Sequence, residues 1–345
     1  MTIVYHLPAF RAACPPAPLP ALRPALRPAK GAARAALAAV LCATAISPAL
    51  AQEAPGTGAA QERSQSETTT SRTGQSADPQ SEDSGPAERL SLEGTALDGD
   101  FLAVGVGIGM GPGYIGSDDY NILPIPLLQG SVGGVDINPR PAGFALDVID
   151  DNEKRVSFQF GPELKLNFNR AIKVNDDVVD ALPKLDVAVE VGPTIGVNID
   201  GVLNRADSVN LNADILFDIA GAHGGMSVRP TATYFTPLSR GMAMTLSAHT
   251  TWIDDDFAEY YYTVDATTAD ASPLTPFEAS SGFQDTGLTA LVFFDLNGDL
   301  LDGGFAVFGL ANYTRVLGDA ADSPFTSQVG SADQFFGGIG IGYTF

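Results

Sequence analysis

The eleven residues from Phe335 to Phe345 read F-F-G-G-I-G-I-G-Y-T-F, with mostly large side chains on the odd positions and, after Phe336, Gly338, Gly340, Gly342 and Thr344 on the even ones. A period of two with a bulky and a small face predicts a β-strand whose faces meet different surroundings. The stretch from Leu102 to Met110 mirrors it, with Leu102, Val104, Val106, Ile108 and Met110 alternating with Ala103, Gly105, Gly107 and Gly109. These glycines keep strict strand phase, whereas a phosphate-binding loop needs them at a turn that opens a helix. Two strands of such similar build are natural neighbours at the closing seam of a sheet. The alternative for the last stretch is the final strand of a soluble sandwich.

The middle of the chain alternates more plainly still. Val156, Phe158, Phe160, Leu164, Leu166 and Phe168 interleave with Ser157, Gln159, Glu163, Lys165, Asn167 and Asn169. Residues 185–200 repeat the pattern, hydrocarbon on one face and Asp186, Glu190, Asn198 and Asp200 on the other. These runs exceed an ordinary soluble strand and suit a tilted membrane strand that continues into a loop. Pro162 and Pro193 would each remove a ladder donor, which predicts bulges or strand ends there. Further strands are predicted near 122–128, 135–138, 143–149, 211–219, 226–235, 242–252, 260–265, 287–296 and 305–316. Asn297-Gly298 marks a hairpin, and no helical period is read after Thr95. The expected fold is all-β: a transmembrane antiparallel up-and-down barrel of about 10–12 strands, an even number being the rule for such barrels. Aromatics at the strand ends, among them Tyr120, Trp252, Tyr313 and Tyr343, suit interfacial girdles.

Composition places this barrel in a compartment. Arg11, Arg23, Arg27, Lys30 and Arg34 precede an apolar stretch and the small residues Ala49-Leu50-Ala51. Residues 1–51 are therefore expected to be an export signal cleaved near Ala51. Residues 52–95 are rich in Ser, Thr, Gln, Glu, Gly and Ala with hardly an aliphatic side chain. They are expected to form a disordered periplasmic tether, because they cannot bury enough apolar surface to offset ordering. Residues 96–345 would be the barrel, in the outer membrane of a Gram-negative cell. Cys14 and Cys42 both lie in the expected signal, which leaves the exported chain without thiol chemistry. The net charge is −22, and losing the five basic residues of the signal makes the exported chain more acidic. Such a chain repels nucleic acid and anionic phosphates.

Three stretches together resemble the MipA/OmpV family, the MltA-interacting proteins of the outer membrane. The first runs from Tyr114 through Gly116, Ser117, Asp118, Asp119 and Tyr120 to the Pro124-Ile125-Pro126 strand. The second is Trp252-Ile253-Asp254-Asp255-Asp256, leading into Tyr260-Tyr261-Tyr262. The third holds Gly318, Asp319, Ser323 and Pro324 and leads on to the terminal Phe345. Phe257 departs from the tyrosine common in the family, and the acidic tether is not part of its core. The resemblance implies a barrel without catalytic residues or cofactor, set among outer-membrane lipid and lipopolysaccharide. It further implies a scaffold that brings a lytic transglycosylase and a penicillin-binding protein together, or a surface interaction protein.

The chemistry that the residues themselves allow is limited. Asp118 and Asp119 could hold a cation, but Asp and Ser also stabilise turns through their own backbone. Ser247, His249 and Thr251 share a strand face, yet successive same-face residues sit beyond hydrogen-bond reach, so a barrel hydrolase is disfavoured and no metal site is read. Glu163, Lys165, Asp186, Glu190, Asp214 and Asp218 are expected to point into the lumen. They could line a narrow cation-preferring or small-solute channel, or pair with one another and plug it.

Overall fold

The computed structural model describes residues 95–97, 99–151 and 154–345; the expected signal and nearly all of the expected tether lie outside the described residues. Twelve antiparallel strands close into a barrel. They are β1 (Phe101–Pro112), β2 (Tyr120–Val132), β3 (Val135–Arg140), β4 (Gly143–Asp147), β5 (Val156–Asn167), β6 (Ala188–Asp200), β7 (Ser208–Asp218), β8 (Met226–Ser239), β9 (Met242–Ile253), β10 (Gly282–Asp295), β11 (Gly304–Val316) and β12 (Asp333–Thr344). Each pairs with its sequence neighbours, and β1 closes on β12 through eight pairs from Ala103↔Thr344 to Met110↔Gly337. The two glycine-alternating stretches are thus adjacent, in register, with Gly opposite Gly and Ile108 opposite Ile339.

The alternation sorts the faces as a barrel in lipid requires. Val106, Ile108, Met110, Phe158, Phe160, Ile195, Leu288, Ile339 and Phe345 are exposed on the outside, where hydrocarbon is their solvent. Glu163, Glu190, Thr194, Asn212, Asp214, His249 and Asp285 are buried on the inside. Pro162 and Pro193 do not end their strands and shift no register. The β6–β7 ladder skips Gly192 and Pro193 and resumes at Thr194↔Asp214. A Cβ on Gly192 would fall 1.8 Å from the Ile215 carbonyl, so this unpaired step is packed tightly.

Helices depart from the sequence reading. Among the described residues there are α1 (Asp177–Asp180), α2 (Asp255–Tyr262), α3 (Ala266–Ala271), α4 (Gly318–Asp322) and α5 (Pro324–Ser327). The stretch 260–265, expected as a strand, is the end of α2 and the link to α3. Its aromatic run suggests a strand by propensity, but Asp254 caps the segment: its Oδ1 accepts the Phe257 N–H at 3.1 Å. A capped turn with a buried face overrides that weak β preference. All five helices lie in the long connections at one end of the barrel, the loop end; both chain termini of the barrel lie at the other.

Candidate functional site

The loop end carries a cap built from the connections 113–119, 168–187, 254–281 and 317–332. Two apolar clusters hold it. One gathers Tyr114, Val174, Val179, Leu182, Val264, Leu274 and Phe325; the other gathers Ile253, Phe257, Ala258, Tyr261, Tyr262, Val316 and Ala320. The first draws on all four segments, and the second draws on 254–281 and 317–332 and packs against Ile115 and Leu185 from the other two, so the cap packs as a unit across the mouth.

Most of the candidate residues singled out in the sequence meet in this cap. Tyr114 is 3% exposed, and its hydroxyl lies 3.1 Å from both Asp176 Oδ2 and the Phe325 carbonyl, more than 200 residues on. Burial raises its phenol, with Asp176 adding to the effect. Gly116 adopts φ 102°, and a Cβ there would fall 2.2 Å from Thr326 Oγ1. Its N–H donates to Gln334 Oε1 at 3.2 Å, and Gln334 Nε2 donates to the Ser117 carbonyl at 2.7 Å. Ser117 is fully buried and bridges to Gly330. Its hydroxyl exchanges bonds with the Asp119 backbone, so the Ser-Asp-Asp turn spends its polar groups on its own geometry. Asp118 is exposed, and the Tyr120 hydroxyl accepts the Phe335 N–H.

The second and third stretches meet in the same way. Asp254 caps α2 and also accepts the Met226 N–H at 2.9 Å, while Asp255 accepts the Ser281 N–H at 2.6 Å. Asp319 accepts both the N–H and the hydroxyl of Ser280. Gly318 turns the chain at φ 53°, and Pro324 starts α5. Ser323, fully buried, donates its hydroxyl to the Tyr262 carbonyl at 2.6 Å. Three candidates lie elsewhere on the wall: Pro124 and Pro126 are exposed on β2 and Trp252 stands half-buried on β9. The exposed Phe345 ring lies 4.7 Å from that of Tyr343 at the terminal end.

Arg170 is a cap residue that the sequence did not single out. It is buried, holds φ 58°, donates from Nη1 to the Tyr261 carbonyl and stands 3.7 Å over the Phe325 ring. Burial pushes its guanidinium down to about 10. An Asn-Arg dipeptide at a strand end is the trace it leaves in sequence, too common to point to it. Beside it lies an open cavity of about 420 Å³ lined by Arg170, His223, Asp256, Glu259, Tyr260 and Asp265.

Below the cap, the lumen is braced. Lys165 Nζ donates to Glu190 Oε2 and Asn167 Nδ2 to Glu190 Oε1, both at 2.8 Å. Arg140 reaches from β3 across to Asp214 Oδ2 at 3.1 Å and lies 3.5 Å from Glu163 Oε2. Asp214 also accepts the Thr194 hydroxyl at 2.6 Å. Glu163, Lys165, Glu190 and Asp214 therefore face inward, in pairs. Asp218 sits at the inner rim, where it accepts the N–H groups of Ala220, His223 and Gly224. Asp186 does not line the lumen: it is exposed in the loop before β6, which begins at Ala188. The alternation that suggested otherwise continues three residues past the sheet, where the backbone N–H of Asp186 bonds the Tyr260 hydroxyl instead of a strand. His249 Nε2 lies 3.5 Å from Asp285 Oδ1, which also accepts the Thr251 hydroxyl.

A closed twelve-strand barrel whose cap draws on all three of those sequence stretches agrees with the match to the family model for MltA-interacting protein MipA, which covers residues 104–345. The chain belongs to the MipA family. It is an outer-membrane barrel protein. Among curated proteins, none matches this MipA-family chain. Among solved structures, it is similar to the COG4313 outer membrane channel from Pseudomonas putida F1, at 13% identity and TM-score 0.37, covering 76% of this chain and 99% of that one. It is also similar to OmpT of Vibrio cholerae, at 7% identity and TM-score 0.30, covering 71% and 97%. A third is OprD from Pseudomonas aeruginosa, at 8% identity and TM-score 0.27, covering 73% and 96%. At those scores the likenesses carry no argument about substrate or role.

Proposed function

We propose that this MipA-family protein is a capped, non-enzymatic barrel that serves as an interaction platform in the cell envelope. The observation that carries the reading is the cap: the family's sequence signatures are spent on packing the loop end shut, through Tyr114, Gly116, Ser117 and Ser323. The lumen adds support, because its inward cations Arg140 and Lys165 are already bonded to the carboxylates that a cation path would use. On this reading the contact surface is the terminal end, with its short turns and the acidic stretch 52–94, which faces the murein. The name of the family supports a lytic transglycosylase as partner, with a penicillin-binding protein joined to it.

The competing role is a narrow cation-preferring channel. Planar-bilayer conductance of the purified protein separates the two. Silence from a folded barrel, together with cross-links from residues 52–94 to a murein enzyme in cells, supports the platform. Cation-preferring steps that shrink in Glu190→Gln and Asp214→Asn variants would overturn it in favour of the channel.

A further inference from the structure

The ladder between β2 and β3 consists of three pairs, Gly130↔Ile137, Ser131↔Asp136 and Val132↔Val135, although β2 is thirteen residues long. Hydrogen-bond parity explains why it stops. Gly113 N–H donates to the Asp119 carbonyl, and in an antiparallel ladder bonded and non-bonded pairs alternate. Asn121, Leu123, Ile125 and Leu127 therefore direct their backbone groups toward β1, and Ile122, Pro124, Pro126 and Leu128 direct theirs toward β3. On the other side, the bonds Leu166 N–H to Ala142 O and Val148 N–H to Phe160 O turn the even residues of β4 toward β5. The odd residues of β4 thus bond β3, which leaves Val135, Ile137 and Pro139 facing β2. Continuing the register would set Leu128 against Pro139 and Pro126 against Pro141. Prolines occupy successive donor positions on both lips of the seam. An open strand edge in hydrocarbon is ruled out chiefly by its unpaired polar groups, and Pro124, Pro126, Pro139 and Pro141 remove four of the donors along this one.

Side-chain chemistry matches. The outward residues along the lips are Ile122, Pro124, Pro126 and Leu128 on β2, and Val135, Ile137 and Pro139 on β3 with Pro141 just past its end, without a charge or an amide. Ile122 is 79% exposed. Inward, β2 presents Leu123, Ile125 and Leu127, half-buried, over a distance of about 13 Å at the usual strand rise. Ile125 Cδ1 rests on a glycine floor, occupying the space that a Cβ on Gly338 or Gly109 would need. Phe336 lies beside it over Gly109 and Gly111. Above the seam, amides close the gap: Asn175 Nδ2 donates to the Tyr120 carbonyl, and Asn121 Nδ2 to the Lys173 carbonyl.

We propose that the barrel wall is open sideways between β2 and β3, and that the hydrocarbon chain of a membrane lipid enters the lumen there and lies along Leu123, Ile125 and Leu127. The occupant follows from continuity: the inner apolar row joins the lipid-facing row across lips that carry no group to recognise a head, so the chain enters and the head stays at the amide-lined rim. The site stands whether or not the barrel is an interaction platform.

Tryptophan quenching by lipid brominated on its acyl chains tests this. In a Trp252→Phe background, Ile125→Trp is compared with Asn210→Trp, which faces the lumen on the polar wall, each in vesicles of brominated phosphatidylcholine. Folding is checked by heat-modifiable migration, with Leu127→Trp as substitute should Ile125→Trp fail. Quenching at position 125 is expected to exceed that at 210 at least threefold, and to fall to the level of 210 when Leu123→Asp places a charge on the path. Equal quenching at the two positions, or quenching at 125 that survives Leu123→Asp and so comes from lipid outside the wall, would overturn the proposal.

Discussion

The two halves of the lumen are built on opposite principles. From β5 to β10 the inner wall is charged or amide, and a few carboxylates each anchor several partners: Glu190 holds Lys165 and Asn167, and Asp214 holds Arg140 and Thr194. Around β12 and β1 the inner wall is glycine, and Ile125, Phe308 and Phe336 lie directly on the backbone. One wall concentrates its stability in a few expensive polar groups. The other spreads it over many close contacts that no single residue dominates. The polar wall should therefore be broken by deleting an atom, and the glycine wall by adding one.

The largest effect is expected at Glu190, which is 1% exposed. Glu190→Ala leaves Lys165 and Asn167 facing an uncompensated cavity, a change of the kind that costs about 3–5 kcal/mol. Urea unfolding followed by Trp252 fluorescence measures it. Adding Lys165→Met removes the stranded cation and should restore much of the loss; no recovery in the double variant would mean that the two residues are not energetically paired.

On the glycine wall, a Cβ on Gly340 would meet Phe308 Cζ at 2.2 Å and the Val106 carbonyl at 2.6 Å. Gly340→Ala is expected to cost about 1–3 kcal/mol, as overpacking of a fitted interior does. Gly309 has nothing within 4 Å of its would-be Cβ, so Gly309→Ala should change stability by less than about 0.5 kcal/mol. Equal losses at the two positions would show that strand propensity, not contact, sets the cost.

How much of this contrast was legible beforehand follows from its physics. Period-two alternation is a property of one strand at a time, so the faces of β1, β5, β6 and β12 and the pairing of the first strand with the last could be read from sequence. The pairing of inward charges was not, because whether Arg140 meets Asp214 depends on a register set by ladders between residues 74 apart. The cap was missed for a related reason. Short helices capped by Asp176, Asp254 and Asp265 show no helical period, and their stability comes from clusters shared between distant loops. Tyr114 and Ser323 stood out only through the family resemblance, and nothing local to either announces the other. Pro124 and Pro126 read as a signature before the ladder parity showed which side of β2 they leave without donors.

A smaller, local effect is expected in the cap, which belongs to neither wall. Tyr114→Phe keeps the packing of the ring and removes its bonds to Asp176 and the Phe325 carbonyl, a loss of about 0.5–1.5 kcal/mol. The cap should become cleavable within residues 254–281 by an externally added protease while global unfolding of the barrel hardly moves. Coupled loss of both would show that cap and barrel unfold together.

The smallest effect is electrostatic and separates cap from barrel by pH. The N–H groups of Thr268 and Ser281 hold the carboxyls of Asp265 and Asp255 below their ordinary range, and Lys184 does the same for Asp180. A carboxyl depressed in the folded state contributes stability that is present above its unfolded value, near 4, and is lost as pH falls through the folded value. These three groups lie at or beside helices of the cap and outside the strands. Protease protection of the cap should therefore hold from neutral pH down to about 5 and decline below about 4, with salt weakening the trend because the groups are solvent-facing. Protection that holds unchanged from neutral pH down to about 3 would mean that these carboxylates at the helix ends do not control the mouth.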